Sequence, residues 1–379
     1  MTDPIYLDYN ATTPVDPAVV AALEPYLRDH FGNPSSDHVY GYRSRAAAQT
    51  AREQLAALLG AAPDEVVFTG GGSEANNLAI KGVAYSYRER GNHIMTSAIE
   101  HPSVVEPLRF LARQGYQVTT LAVDAEGRVD PAQIAAALTD QTILVSIMHA
   151  NNEVGTLQPI RAIADLAHAR GVLVHVDAAQ TVGKLPLSIG DLGVDLLTVA
   201  GHKFSAPKGV GALMVRNGLH LEPLIHGAGH EGGRRAGTEN VPYLVGLGAA
   251  ATLAGQRVAD YQERVRGLRD DLQRRILEQI PAAVLNGHPV ERLPNTLNLS
   301  FPGVNAAALL AAVRDRVACS TGSACHAGQA APSGVLLAMG RDAALASAAL
   351  RLSLGWASTR QEVQRAADII AEAVQDLAR

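Results

Sequence analysis

Cysteine is nearly absent: the 379 residues hold two, Cys319 and Cys325. Six positions apart in so long a chain, they do not form the disulfide framework that staples small secreted folds. Aromatic residues make up 4% of the chain, with one tryptophan, and alanine fills many helix positions instead. No apolar run approaches the roughly 18 residues of a membrane-spanning helix. The start, Met1-Thr2-Asp3-Pro4-Ile5-Tyr6, lacks the basic stretch and apolar core of a secretion signal. Excess charge is lacking too. Thirty-two basic residues face 37 acidic ones, a net charge of −5, which favours neither nucleic acid nor an anionic membrane as partner. A cytoplasmic protein is expected.

Hydrophobic residues at 47% and charged residues at 18% can fill a sizeable core. The length suggests two domains, or one large α/β domain with an appendage. Residues 66–215 alternate short apolar runs with helix-like stretches. Strands are expected at 66–69, 94–97, 116–123, 142–148, 172–176, 196–199 and 211–215. Helices are expected from about 73, over 103–113, near 131–138 and over 160–169. Such alternation predicts an α/β fold with a mostly parallel sheet covered by helices.

From about Tyr243 the texture changes. A charge-rich helical stretch runs to about 280, strand-like segments follow at 295–300 and 348–354, and a helix at 359–377 opens on a Thr359/Glu362 capping box. This reads as a smaller α+β domain. The division is a large domain over 14–255 and a small one from 1–13 and 256–379, the latter carrying the Cys325 loop.

The chemistry starts at Lys203. The run Leu196-Leu197-Thr198-Val199-Ala200-Gly201-His202-Lys203 ends an apolar strand in a lysine. Desolvation there lowers the amine's pKa and makes it nucleophilic, as a Schiff base with an aldehyde cofactor requires. Twenty-six residues earlier, Val172-Leu173-Val174-His175-Val176-Asp177 ends another strand in an acid. An acid for a ring nitrogen and an amine for an aldehyde match pyridoxal 5'-phosphate (PLP). Thr69-Gly70-Gly71-Gly72-Ser73-Glu74 joins a strand to a helix and suits either a plain turn or a phosphate cradle.

Other residues have two readings each. His101 in Glu100-His101-Pro102 suits a surface cap, or a ring that stacks on a cofactor and shuttles protons. Asn152 fits a turn or a cofactor contact. Gln180 faces the same way as Asp177 if a helical turn starts there. Thr238, in a small polar loop, fits a phosphate contact, a subunit interface or solvent. Arg351, in an alternating strand, suits an internal ion pair or a substrate α-carboxylate. Cys325, in Gly322-Ser323-Ala324-Cys325-His326-Ala327-Gly328, reads as a used nucleophile on a mobile, exposed loop.

In order and spacing these segments resemble the cysteine desulfurases of the NifS/IscS type, in the class V aminotransferase branch of fold-type I PLP enzymes. The resemblance spans nearly the whole chain, from Leu7-Asp8-Tyr9-Asn10-Ala11-Thr12-Thr13-Pro14 through Gly201-His202-Lys203 to Gly322-Ser323-Ala324-Cys325. It implies that Lys203 binds PLP, that Asp177 and Gln180 hold the ring nitrogen and ring oxygen, and that His101 stacks on the ring. It places Gly72 and Ser73 at the phosphate, with Ala200, Gly201 and His202 just before the lysine, and Asn152 at cofactor or substrate. It gives Thr238 to the other subunit's phosphate, hence a homodimer, and Arg351 to the carboxylate of L-cysteine.

Cys325 becomes the sulfur acceptor, carrying a persulfide to a protein such as an iron–sulfur scaffold. No resident metal is implied; the one metal contact in view is transient ligation of an iron–sulfur cluster by Cys325. Ala200 stands where many members have serine, and His230 and Gly232 replace a glutamine and an arginine. Rival readings are transamination or selenocysteine lysis on the same scaffold, and a non-catalytic dimeric scaffold for iron–sulfur assembly.

Overall fold

The computed structural model describes residues 3–321 and 332–378. The chain opens with β1 (Ile5–Tyr6) and helices α1 (Pro17–Arg28) and α2 (Val39–Leu59). Next come β2 (Val66–Thr69), α3 (Gly72–Ser86), β3 (His93–Ser97), α4 (Pro102–Ala112), β4 (Gln117–Leu121) and α5 (Pro131–Ala137). Then follow β5 (Thr142–Ser146), α6 (Ile160–His168), β6 (Leu173–Asp177), α7 (Ile189–Leu192), β7 (Leu196–Ala200) and β8 (Gly211–Val215). The 39-residue α8 (Val241–Gln279) leads to β9 (Val284–Leu285), β10 (Thr296–Ser300), α9 (Ala306–Val313) and β11 (Val317–Ala318). The described chain ends with α10 (Gly334–Ala338), α11 (Ala343–Ser347), β12 (Ala349–Ser353) and α12 (Arg360–Leu377).

Seven strands form one sheet in the order β2-β8-β7-β6-β5-β3-β4. Pairings from β4 to β7 are parallel; β8 runs antiparallel to both β7 and β2. The link between β7 and β8, residues 201–210, is shorter than a parallel crossover needs, so the chain must turn back. Central strands are buried along their whole length because helices cover both faces. Alternate residues point to opposite sides. Val66, Phe68, Val174, Val176, Leu197 and Val199 join one core with α2 and α6, while Val67, Leu173 and Leu196 join another with α3 and α4.

A three-stranded antiparallel sheet, β12-β10-β9, and the short parallel pair β1-β11 surround a separate core. Ile5, Leu7, Leu297, Leu299, Leu350 and Leu352 meet Val363, Ala366 and Ile370 of α12 there. Helix α12 starts with the Thr359/Glu362 capping box. Helix α8 serves both cores: Leu244, Leu247 and Ala251 pack in the first, and Tyr261, Val265, Leu272 and Ile276 in this one. Among the described residues no helix is long and apolar enough to cross a membrane.

Candidate active site

Because β2, β3, β5, β6 and β7 share a direction, their carboxyl ends open on one edge of the sheet. Ligands bind at that edge in sheets of this kind. A cavity of about 610 Å³ lies there. Gly72, Ser73, His101, Asn152, Asp177, Gln180, Ala200, His202, Lys203 and Arg351 all line it, together with Asp8, Asn10 and Cys319.

Lys203 closes a single 3-10 turn, Gly201–Lys203, directly after β7. Its Nζ donates to the backbone carbonyls of Asn10 (2.6 Å) and Ala11 (2.9 Å). Burial, and then the guanidinium of Arg351, draw its pKa down to about 8, against the opposing pull of Asp177 and Asp8. Gly201 is buried beneath; a Cβ there would stand 2.9 Å from the Val210 carbonyl. His202 holds the loop of residues 12–13: its carbonyl accepts from the Thr13 amide and hydroxyl, and its Nδ1 meets Thr12 Oγ1 at 3.1 Å. Burial, helped by Lys203 and other lysines, lowers its pKa to about 4, so this ring is neutral at ordinary pH.

Asp177 ends β6 and is 7% exposed. Its Oδ2 accepts from Asn76 Nδ2 at 2.7 Å and its Oδ1 from the Ala179 amide at 3.0 Å. Asn76 Nδ2 also donates to Ser103 Oγ, which lies 2.7 Å from His101 Nδ1. His101 caps α4 by accepting from the Ser103 amide at Nδ1. With Nδ1 accepting, the ring proton belongs on Nε2. Burial lowers the His101 pKa, in keeping with a neutral imidazole.

Helix α3 starts on the open edge with no side-chain cap at Gly71, so the amides of its first turn have no side-chain partner there. A Cβ on Gly72 would lie 3.2 Å from the Ala200 methyl, which lets the helix start approach the end of β7. On the opposite wall Arg351, in the middle of β12, donates from Nη2 to Asp8 Oδ1 (2.8 Å) and from Nη1 to the Asn152 carbonyl (3.1 Å). The ion-pair and cavity readings of this arginine therefore coexist. Gln180 Nε2 donates to the Asn10 carbonyl at 3.0 Å.

Two expected residues among those described, Gly201 and Thr238, do not line this cavity. Thr238 is exposed and lines a separate cavity beside Gly70, Glu231 and Arg235, outside the Lys203 cavity of its own chain. Cys325 lies outside the described residues. Cys319 borders the cavity, but burial, and then Asp8, push its thiol up to about 12, so it is no thiolate at neutral pH. Among the described residues no group of three or more His, Cys, Asp or Glu is arranged to hold a metal ion.

Sequence reasoning missed Asp8, Asn10, Asn76 and Lys184. Asn10 is the hub. Its amide donates to Ser353 Oγ and its Nδ2 to Thr296 Oγ1 and the Asn152 carbonyl, while its own carbonyl accepts Lys203 and Gln180. The available signal was the polar run Asp8–Thr13, too polar for a segment that follows a buried strand.

A model of the aminotransferase class-V family matches residues 5–366. The cysteine desulfurase IscS of Dictyoglomus turgidum is 44% identical over 98% of this chain and 95% of that protein. The cysteine desulfurase IscS of Anaeromyxobacter sp. is 45% identical over 100% and 94%. Among solved structures, a NifS-like protein superposes with a TM-score of 0.93 at 36% identity, covering 99% of this chain and 100% of that one. SspA in complex with cysteine gives a TM-score of 0.80 at 38% identity over 93% and 99%.

Proposed function

This chain belongs to the aminotransferase class-V family, and on that premise we propose that it is a PLP-dependent cysteine desulfurase. It converts L-cysteine to L-alanine and leaves the sulfur as a persulfide on Cys325. The observation that carries the reading is the convergence of the Lys203 amine, the Asp177 carboxylate and the Arg351 guanidinium on one cavity.

The donor set fits the cofactor. Lys203 would hold the aldehyde, Asp177 the ring nitrogen, Gln180 the ring oxygen and His101 the ring face. The open start of α3 at Gly72 and Ser73 would take the phosphate, beside Ala200, Gly201 and His202. In a homodimer, Thr238 of the partner subunit would add a hydroxyl. When bound, PLP supplies a sink for the electron pair released at the substrate α-carbon.

Arg351 binds the carboxylate of L-cysteine, oriented by Asp8 and the Asn152 carbonyl. As a free base, Lys203 Nζ takes the α-proton and later returns one to the product. His101, with its proton on Nε2, serves proton movement at the ring and the substrate thiol. The Cys325 thiolate attacks the substrate sulfur. An S–S bond forms as the C–S bond breaks, the pair goes to the former Cβ, and that carbon takes a proton. Alanine leaves, and an acceptor thiolate, such as that of an iron–sulfur scaffold in the cytoplasm, takes the outer sulfur as the S–S bond breaks and the Cys325 thiolate is released.

The test uses purified protein supplied with PLP, L-cysteine and a thiol reductant. Equal amounts of alanine and sulfide are expected. Cys325→Ala should keep the change in visible absorbance on adding cysteine but form no persulfide. Normal sulfide release by that variant would overturn the role of Cys325. A protein that stays colourless and forms no alanine would turn the reading to a scaffold.

A further inference from the structure

We infer that Lys184 is a positioning residue that fixes which end of the Gln180 amide faces the cofactor cavity. The inference rests on the PLP reading above. Lys184 stands four positions after Gln180 in the turn that follows β6, and it is 2% exposed. No ion pair involves it among the described residues. Its two partners are side-chain carbonyl oxygens: Gln180 Oε1 at 2.8 Å and Asn10 Oδ1 at 3.2 Å.

A buried lysine without a carboxylate is costly. Here burial and the like charges of Lys203 and Arg351 all work against its ammonium form. Stability is therefore a poor account of its presence.

Direction of donation supplies a better one. A lysine ammonium has only donors to offer, and a neutral amine would still donate to two oxygens. Placed against Gln180, it selects the carbonyl end of the amide, which is otherwise free to turn over. Gln180 Nε2 is then left to face the Asn10 carbonyl, the oxygen that also receives Lys203. With the amide reversed, the Gln180 carbonyl would meet the Asn10 carbonyl whatever the charge of Lys184, and an N–H₂ would meet an ammonium that cannot accept it. On the Asn10 side the same amine shares Oδ1 with Asn295 Nδ2 at 3.0 Å, which turns Asn10 Nδ2 toward Thr296 and Asn152. Both amides are thus set in one sense. Gln180 lines the cavity, and its Nε2, which gives one N–H to the Asn10 carbonyl, keeps a second for an anionic ring oxygen; a carbonyl in its place would repel that oxygen.

A double-mutant cycle on the full-length protein tests this, with PLP affinity of the cofactor-stripped chain and the visible spectrum of the reloaded chain as readouts. Lys184→Met should weaken PLP binding about tenfold and shift the visible band. In a Gln180→Met background the same change should alter affinity by less than about twofold, because its target is gone. Equal losses in both backgrounds would make Lys184 structural and overturn the inference. A weakened Gln180→Met beside an unchanged Lys184→Met overturns it as well and leaves the PLP reading intact. Unchanged PLP affinity in Gln180→Met overturns the cofactor role of Gln180, and this inference with it. Should Lys184→Met fail to fold, Lys184→Gln, which keeps an N–H donor, should hold affinity within about threefold; a tenfold loss there decides against the inference.

Discussion

In the seven-stranded sheet the reactive groups stand at or just past strand ends: Asp177 closes β6, Lys203 ends the turn after β7, and His101 caps the helix after β3. In the three-stranded sheet Arg351 sits mid-strand, opposite Asn298 across the β10–β12 ladder. The first arrangement separates chemistry from support, since the strands bury mainly apolar and hydrogen-bonded residues while the cavity-lining groups stand at their ends. The second joins them. Arg351 is 6% exposed and its partners Asp8 and the Asn152 carbonyl come from other parts of the chain, so its charge is part of how the small sheet is held. A change past a strand end should cost activity alone; a change in β12 should cost binding and stability together.

The sharpest separation is expected at Lys203. Lys203→Ala should lower alanine formation by at least about 10²–10⁴-fold, the span of a lost acid–base group, with little change in melting temperature. A matching fall in melting temperature would break the distinction. Arg351→Leu comes next. Losing hydrogen bonds to a charged group should raise KM for L-cysteine roughly 10- to 150-fold, and melting temperature should drop because Asp8 loses its partner. An unchanged KM would remove Arg351 from substrate binding.

The third prediction concerns pH. Only the neutral amine attacks an aldehyde, and burial together with Arg351 disfavours the charged form of Lys203. PLP uptake by the cofactor-free protein should therefore rise with pH through a midpoint at about 8, not near the ordinary lysine value of 10.5. In Arg351→Leu the midpoint should move up, since one disfavouring charge is gone. A midpoint near 10 in the parent protein would contradict the buried amine.

Two smaller effects probe support alone. A Cβ on Gly355 would overlap the Tyr9 ring, so Gly355→Ala should force Tyr9, and Asn10 beside it, to move, at about 1–3 kcal/mol by denaturant unfolding. Thr359→Ala removes half of the α12 capping box and should cost about 1 kcal/mol with no effect on PLP affinity.

Much of the main sheet was legible because its strands are short apolar runs between helix-forming stretches. The direction of β8 was legible in principle, through the short 201–210 link, though the strand pattern alone does not carry it. Helices α1 and α2 were not foreseen. The inward face of α2 is largely alanine, Ala47, Ala48, Ala51 and Ala56, which gives little contrast with its polar face. Lys203 and Asp177 stood out because a charge at the end of an apolar run is unusual. Asn76 did not, since an asparagine one turn into a helix looks ordinary until Asp177 is seen 2.7 Å away. Asn10 was missed for a related reason: its partners lie on separate segments, and no spacing along the chain encodes them; Lys184 stands only four positions from Gln180, but its other partner, Asn10, is just as remote.

The strand β1 and the polar run after it tie the first part of the chain to the last: β1 pairs with β11, Asp8 and Arg351 are 343 positions apart, and so are Asn10 and Ser353. Contacts of this sequence separation are the kind that cost the most loop-closure entropy to form, because segments separated by almost the whole chain must meet. During synthesis Asp177 and Lys203 emerge well before β12. An incomplete chain could display the amine and the acid while lacking the seat for Lys203 on Asn10 and the guanidinium across from it. The N-terminal strap thus completes this wall only once β12 is in place.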